Sequence, residues 1–381
     1  MRAKGLSKQE VLAKLKLAHE KDLKYADGKI LRSMCTSPLP LAKVAHQMFL
    51  DANLGDPGLF PGSIQLEKEA IASLLELLHG PGGVGFIVSG GTEANLLAMY
   101  AARNASKVQA AEVIVPESAH FSFEKVCDML KIKLVKAKLD DSYRVDCVAL
   151  EKLITKRTVA IVGNAGSPEL GAIDPIAELS EIALKRGVML HVDAAFGGLV
   201  LPFLKDIGYS VPDFDFQLAG VQSVTVDPHK MGLSTIPAGG ILFRDSKHLA
   251  CIETQTPYLT EETQCTFVGT RSGASAAATW AVFESLGCEG FKKTVKSCMD
   301  VTTFLYEGLE EAGFEVLLRP SMNIVAFRNA NIPVLASKLR QKSWHVSFVP
   351  RLNCLRVVVM PHTTKQHAAD FLEFLQELKI E

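Results

Sequence analysis

The sequence predicts an α/β protein with a large, mostly parallel sheet and a smaller α/β domain at its C-terminal end. Its 381 residues exceed the roughly 250–300 that one core accommodates, so two unequal units are expected. From Val84 onward, short apolar runs alternate with amphipathic segments, the pattern of strands and helices wound into a parallel sheet. Polar motifs open directly after several of these runs, at Ser89, His120, Asn164, Asp193 and Lys230. Ligands of such sheets gather beyond the carboxyl ends of the strands.

Taken in order, Ser7 followed by Glu10 forms a capping box, and Leu12, Leu15, Ala18 and His19 recur at helical spacing to about Lys24. This first helix is expected to lie across another part of the assembly. Leu41, Val44, Ala45, Met48 and Phe49 make a second apolar face before the glycine- and proline-rich loop 55–62. Ile71, Leu74, Leu75 and Leu78 mark a third helix, closed by His79-Gly80-Pro81-Gly82-Gly83. Seven strands follow near 84–88, 112–115, 132–136, 158–163, 188–192, 222–227 and 239–243, with helices between most of them. The polar stretch 244–270 shows little periodicity and is long enough to be a functional loop. Helices near 272–287 and 291–313 precede strands near 314–318, 323–328, 345–349 and 355–360, and a helix from Lys365 to about Leu378 closes the chain. The expected division is an N-terminal helical segment over 1–50, a large domain over 51–288 and a small C-terminal domain over 289–381.

Hydrophobic residues at 48% and charged residues at 22% suit a compact protein. With 41 basic against 42 acidic side chains the net charge is −1, which gives no electrostatic reason for nucleic acid or a charged membrane as partner. Eight cysteines are scattered without a Cys-x-x-Cys pair or metal-ligand spacing, so reduced thiols and no metal are expected. The N-terminal stretch is charged and lacks a signal-peptide core, and no apolar run reaches about 18 residues. These features predict a soluble, cytoplasmic protein.

The stretch 223–232, S-V-T-V-D-P-H-K-M-G, reads as a strand that stops with Lys230 at its tip. A desolvated amine has a lowered pKa and attacks carbonyls, which is what a Schiff base requires. Upstream, H-V-D-A-A-F-G-G (191–198) delivers Asp193 to another strand end. F-I-V-S-G-G-T-E-A-N (86–95) reads as strand, glycine turn and helix start, whose N–H groups can hold a phosphate. Phosphate cradle, carboxylate and lysine are the parts a pyridoxal phosphate site needs.

Together with S-M-C-T-S-P-L-P (33–40), N-L-G-D-P-G-L-F-P-G (53–62) and L-R-V-V-V-M-P-H (355–362), these motifs make nearly the whole chain resemble the group II pyridoxal-phosphate-dependent amino-acid decarboxylases. The likeness is greatest to their archaeal branch acting on L-tyrosine and L-aspartate. It implies the fold type I, aspartate aminotransferase-like architecture, with pyridoxal 5'-phosphate as cofactor. By the same resemblance Lys230 carries the cofactor as a Schiff base, Asp193 faces its ring nitrogen and His120 stacks on its ring. Gly91 and Thr92 cradle the phosphate, Ser122 places a hydroxyl near it, His229 lies close by, and Ala195 completes the set. Arg356 corresponds to the arginine that holds the substrate α-carboxylate, with Arg351 as its competitor in sequence. Tyr258, in the long loop, resembles a tyrosine that returns a proton to the α-carbon and often reaches a neighbouring subunit's site; Lys230 is the alternative donor. Asp227 is left out of the phosphate set, because a carboxylate there would repel the phosphate. In G-N-A-G-S-P-E-L-G (163–171), Ser167-Pro168 stand where relatives tend to have two threonines: Ser167 can still donate a hydroxyl to the cofactor's phenolic oxygen, while Pro168 removes one N–H and stiffens the turn.

The reaction so implied releases carbon dioxide from a small-molecule L-amino acid, with tyrosine leading, aspartate close behind and glutamate after them. Tyramine would serve methanofuran biosynthesis and β-alanine coenzyme A biosynthesis. A tyrosine pocket needs an apolar slot with a hydroxyl partner, whereas aspartate needs a second cation; residues in 35–41 and 56–63, including Phe60, are candidates for lining it. The fold also hosts desulfuration, for which Cys265 is the candidate nucleophile, and non-catalytic cofactor binding. A homodimer with shared active sites is the family expectation.

Overall fold

The computed structural model describes residues 1–380. Its large sheet contains β1 (Val84–Val88), β2 (Glu112–Pro116), β3 (Lys133–Ala137), β4 (Thr158–Asn164), β5 (Met189–Asp193), β6 (Val221–Val226) and β7 (Gly239–Phe243). Each lies within one residue of its predicted run. The strand order is β1-β7-β6-β5-β4-β2-β3, with β7 antiparallel to both neighbours and the remaining pairs parallel. β4 and β5 are buried along their whole length, as continuous apolar strands covered on both faces must be. Successive side chains divide between the two faces: Val113 and Val115 pack with Leu97 and Phe123, while Ile114 joins Leu150 and Leu179.

The predicted loop 244–270 holds a one-turn helix, Lys247–Ala250, and a hairpin of β8 (Thr254–Gln255) and β9 (Thr263–Gln264). Two-residue strands are too short to leave a periodic signal. A long helix, Gly273–Glu311, follows and breaks at Gly287, where φ is +51° and ψ −174°. Glycine reaches that conformation without the Cβ penalty, which is why the sequence reads as two helices there. The small domain pairs β10 (Glu315–Val316), β11 (Ile324–Arg328), β12 (Ser347–Val349) and β13 (Cys354–Val358) in the order β10-β11-β13-β12, all antiparallel. Helices Ile332–Gln341 and Lys365–Ile380 complete it.

The N-terminal segment differs from expectation in three ways. The capped first helix is Lys8–His19 and stops short of Lys24, whose ammonium turns back to the His19 carbonyl at 2.6 Å. Residues 29–32 do not stay with a separate segment: the Leu31 N–H donates to the His345 carbonyl (2.9 Å) and the Val358 N–H to the Leu31 carbonyl (2.8 Å). The apolar face predicted for Pro40–Met48 points outward, with Leu41, Val44 and Met48 exposed and only Ala42 and Ala45 buried. Among the described residues no helix is long and apolar enough to cross a membrane.

Candidate active site

The carboxyl ends of β1, β2, β4, β5 and β6 open onto a cleft of about 740 Å³ that the small domain closes from the other side. Gly91, Thr92, His120, Asp193, Ala195, His229, Lys230 and Arg356 all line it. Ser122, Ser167 and Tyr258 do not.

At the end of β6 the turn Asp227-Pro228-His229-Lys230 folds back, with the Lys230 N–H donating to the Asp227 carbonyl (2.9 Å). That turn sets the Lys230 ammonium 2.9 Å from Asp227 Oδ2. Burial pulls the lysine pKa down, but the charges of Asp227 and Asp193 outweigh it and leave the pKa above the ordinary value. The sequence argument for a lowered pKa is therefore corrected: with its carboxylate partner beside it, the amine is held protonated. Asp227 Oδ1 is buried without a hydrogen-bond partner. A Cβ on Gly91 would stand 2.8 Å from Asp227 Oδ2, so glycine is required where the helix start meets this carboxylate. The His229 ring donates Nδ1–H to the Ala238 carbonyl, and its Nε2 stands 3.9 Å from Asp227 Oδ2.

Asp193 is gripped from behind. Its Oδ1 accepts the Ala195 N–H (3.1 Å) and its Oδ2 accepts Asn95 Nδ2 (3.0 Å). Asn95 Oδ1 in turn accepts from Thr225 Oγ1 (2.7 Å) and His191 Nε2 (3.1 Å). An amide oxygen only accepts, so Nε2 carries the imidazole proton and Nδ1 accepts from Ser223 Oγ at 2.7 Å. Strand register builds this cluster, since His191 pairs with Ser223 and Asp193 with Thr225 across β5 and β6. Ser122 belongs here as well: its buried hydroxyl accepts from Asn95 Nδ2 (3.0 Å), and it does not line the cleft.

Burial pushes the His191 pKa down to about 4. The folded state therefore binds this proton more weakly than the unfolded chain, and stability is lost as pH falls from about 6.5 toward 4. Compared with wild type, His191→Asn should show about 1.5 kcal/mol less destabilisation between pH 6.5 and pH 5, measured by urea unfolding at both pH values.

At the small-domain side, Arg356 on β13 donates from Nη1 to the Pro168 carbonyl, and from Nη2 to Ser347 Oγ (2.8 Å) and the Arg32 carbonyl (2.9 Å). Its Nε–H is buried with no acceptor. Burial and the like charge of Arg32 lower its pKa to about 10. Arg351 does not line the cleft and is ion-paired with Glu169. Ser167 sits beneath the turn, its Oγ accepting the Ala172 N–H (3.1 Å), and it does not line the cleft.

Tyr258 is 86% exposed on the β8–β9 hairpin, outside its own chain's cleft. The hairpin tip is pinned away from that cleft by Thr260, whose N–H donates to Asp56 Oδ1 (3.0 Å). Cys265 also lies elsewhere, in a second hollow beneath the hairpin, and burial raises its thiol pKa, which leaves little of the thiolate a desulfurase nucleophile needs.

These residues fit pyridoxal phosphate. Ala94 is the first residue of the helix Gly91–Ser106 whose N–H reaches back, to the Gly90 carbonyl (3.1 Å), so the N–H groups of Gly91, Thr92 and Glu93 have no acceptor within the helix and suit an anion. An amine, a fixed carboxylate and an orphaned carboxylate oxygen stand in the same cleft, whose volume is that of a cofactor site. Sequence reasoning missed Asn95, His191 and Arg32 and set Asp227 aside. His191 was accessible to it, because a residue two before Asp193 on a strand shares its face.

A model of the pyridoxal-dependent decarboxylase conserved domain matches residues 53–330. A probable L-tyrosine/L-aspartate decarboxylase of Methanothermobacter thermautotrophicus is 50% identical over 358 residues, 93% of this chain and 99% of that one. An L-aspartate decarboxylase of Thermococcus kodakarensis is 47% identical over 378 residues, covering 98% of each chain. Among solved structures, the sphingosine-1-phosphate lyase of Burkholderia pseudomallei superposes with a TM-score of 0.92 at 28% identity, over 99% of this chain and 91% of that one.

Proposed function

The chain belongs to the pyridoxal-dependent decarboxylases, and from that premise we propose that this cleft removes the α-carboxylate of L-aspartate or L-tyrosine. The protein is a pyridoxal-phosphate-dependent amino-acid decarboxylase, a carboxy-lyase. When bound, the cofactor supplies an electron-withdrawing ring that takes up the electron pair left at the α-carbon.

In this reading Lys230 contributes the amine that binds the cofactor aldehyde, and Asp227 holds that amine's proton until it is needed. Asp193, fixed by Asn95 and Ala195, keeps a proton at the ring nitrogen. The His120 imidazole, lining the cleft with its pKa lowered by burial, stacks as a neutral ring. Gly91 and Thr92 offer N–H groups to the phosphate, with His229 and Ala195 at its margin. Arg356 takes the α-carboxylate on the Nε–H that has no acceptor among the described residues. One observation carries the proposal: the Lys230 amine, the Asp193 carboxylate and a guanidinium with an unused buried N–H line one cleft. Carbon dioxide release, measured with added cofactor across the twenty amino acids, should be highest for aspartate or tyrosine. Release from neither would overturn the substrate assignment.

The working unit is a homodimer in this proposal. The helix Lys8–His19 has no buried residue, and Leu12, Leu15, Leu41, Val44 and Met48 are all exposed. Isolated helices of that length are marginal in water, and apolar surface of this extent marks an interface. Tyr258, outside its own cleft, then serves the partner's and returns a proton to the α-carbon. Light scattering should give about 83 kDa, twice the chain mass of 41.3 kDa; a single-chain mass would remove this role for Tyr258. The products, tyramine and β-alanine, would feed methanofuran and coenzyme A biosynthesis in the cytoplasm.

A further inference from the structure

Two guanidinium groups line the cleft with no ion-paired carboxylate among the described residues. Of the carboxylates lining the cleft, Glu169 is paired with Arg351 and Asp227 with Lys230, and Glu93 accepts the Ser89 and Val268 N–H groups. Asp193 is held by Asn95 and the Ala195 N–H. Arg356 has only neutral oxygens as partners, and Arg32 has no side-chain hydrogen bond or ion pair among the described residues.

The backbone at Arg32 is firmly placed, while its side chain is exposed. Its neighbour Leu31 is stitched to His345 and Val358, and its own carbonyl accepts from Arg356 Nη2 at 2.9 Å. The like charges are close enough that Arg32 lowers the proton affinity of both Arg356 and His345. Two unpaired cations held together repel each other, and an anion with two negative groups a short distance apart relieves that repulsion. The α- and β-carboxylates of an acidic amino acid are two such groups. A phenol would instead bring a neutral ring to an unpaired charge.

We propose that Arg32 is the specificity-determining cation of the site, reading a second carboxylate while Arg356 holds the first, so that the enzyme takes an acidic amino acid in preference to an aromatic one. This rests on the decarboxylase reading above and narrows its substrate. The test compares holoenzyme with Arg32→Ala and Arg32→Lys variants in two measurements. For L-aspartate, KM should rise about 10- to 100-fold in Arg32→Ala with kcat changed much less, and Arg32→Lys should recover part of the loss. Succinate, which has both carboxylates and no amine to react, should bind wild-type holoenzyme, with Kd weakened by a similar factor in Arg32→Ala by calorimetry. Unchanged succinate affinity in a variant with wild-type melting behaviour, or a loss confined to tyrosine, would overturn the assignment. Failure of every amino acid to release carbon dioxide would remove the decarboxylase reading instead, while the succinate measurement still judges Arg32.

Discussion

Lys230→Ala is expected to lower kcat by about 10⁴-fold or more and to abolish covalent fixation of the cofactor. Borohydride treatment of the wild-type holoenzyme should leave a mass-tagged peptide containing Lys230, and the variant should yield none. The helix-start N–H groups at Gly91 and Thr92 remain, so the variant should still bind the cofactor non-covalently. A second effect separates this residue from an ordinary surface lysine. Removing the ammonium strands the Asp227 carboxylate, which is buried and already has one oxygen without a partner. Breaking one side of such a pair costs about 3 kcal/mol of stability. Adding Asp227→Asn should restore most of that stability and none of the rate. A Lys230→Ala enzyme that kept its rate would remove the amine from the mechanism.

The next largest loss is expected at Asp193. Asp193→Asn keeps the shape but only one acceptor oxygen, so the Asn95 amide or the Ala195 N–H loses its acceptor and the melting temperature should fall modestly, while kcat falls about 10²- to 10³-fold. The reason is charge: only an ionised carboxylate makes protonation of the ring nitrogen favourable, and protonation is what draws electrons from the α-carbon. The absorbance of the bound cofactor should become pH-dependent in the variant over a range where the wild type is constant. A rate within a few-fold of wild type would deny Asp193 this role.

Much of the molecule is legible in the sequence because the central strands are buried on both faces and several end in polar motifs. Lys230, Asp193 and Gly91 each mark such an end, and all three face the cleft. Less visible was anything set by contacts between distant segments. Arg32 enters the site because residues 29–32 pair with His345 and Val358, more than 300 positions away, and no local pattern announces that. Asp227 was set aside through repulsion with a phosphate, an argument that omitted the ammonium three residues on. Leu41, Val44 and Met48 showed the spacing of a core helix yet lie outside, because periodicity records that a face is apolar and not which molecule covers it.

The break at Gly287 has a mechanical side. From Cys288 to Glu311 the helix is a rod of roughly 36 Å. Swinging it by about 5° at the glycine would carry its far end through ~3 Å, whereas a misplacement of about 1 Å is enough to slow a reaction a hundredfold. Arg356 and Lys230 sit on opposite sides of that joint, and the Ser321 hydroxyl on the Gly171 carbonyl (3.0 Å) latches the two sides together. The alignment of guanidinium and amine therefore rests on one backbone joint together with the contacts that cross it: Ser321 on Gly171, Arg351 on Glu169, and Arg356 itself on the Pro168 carbonyl.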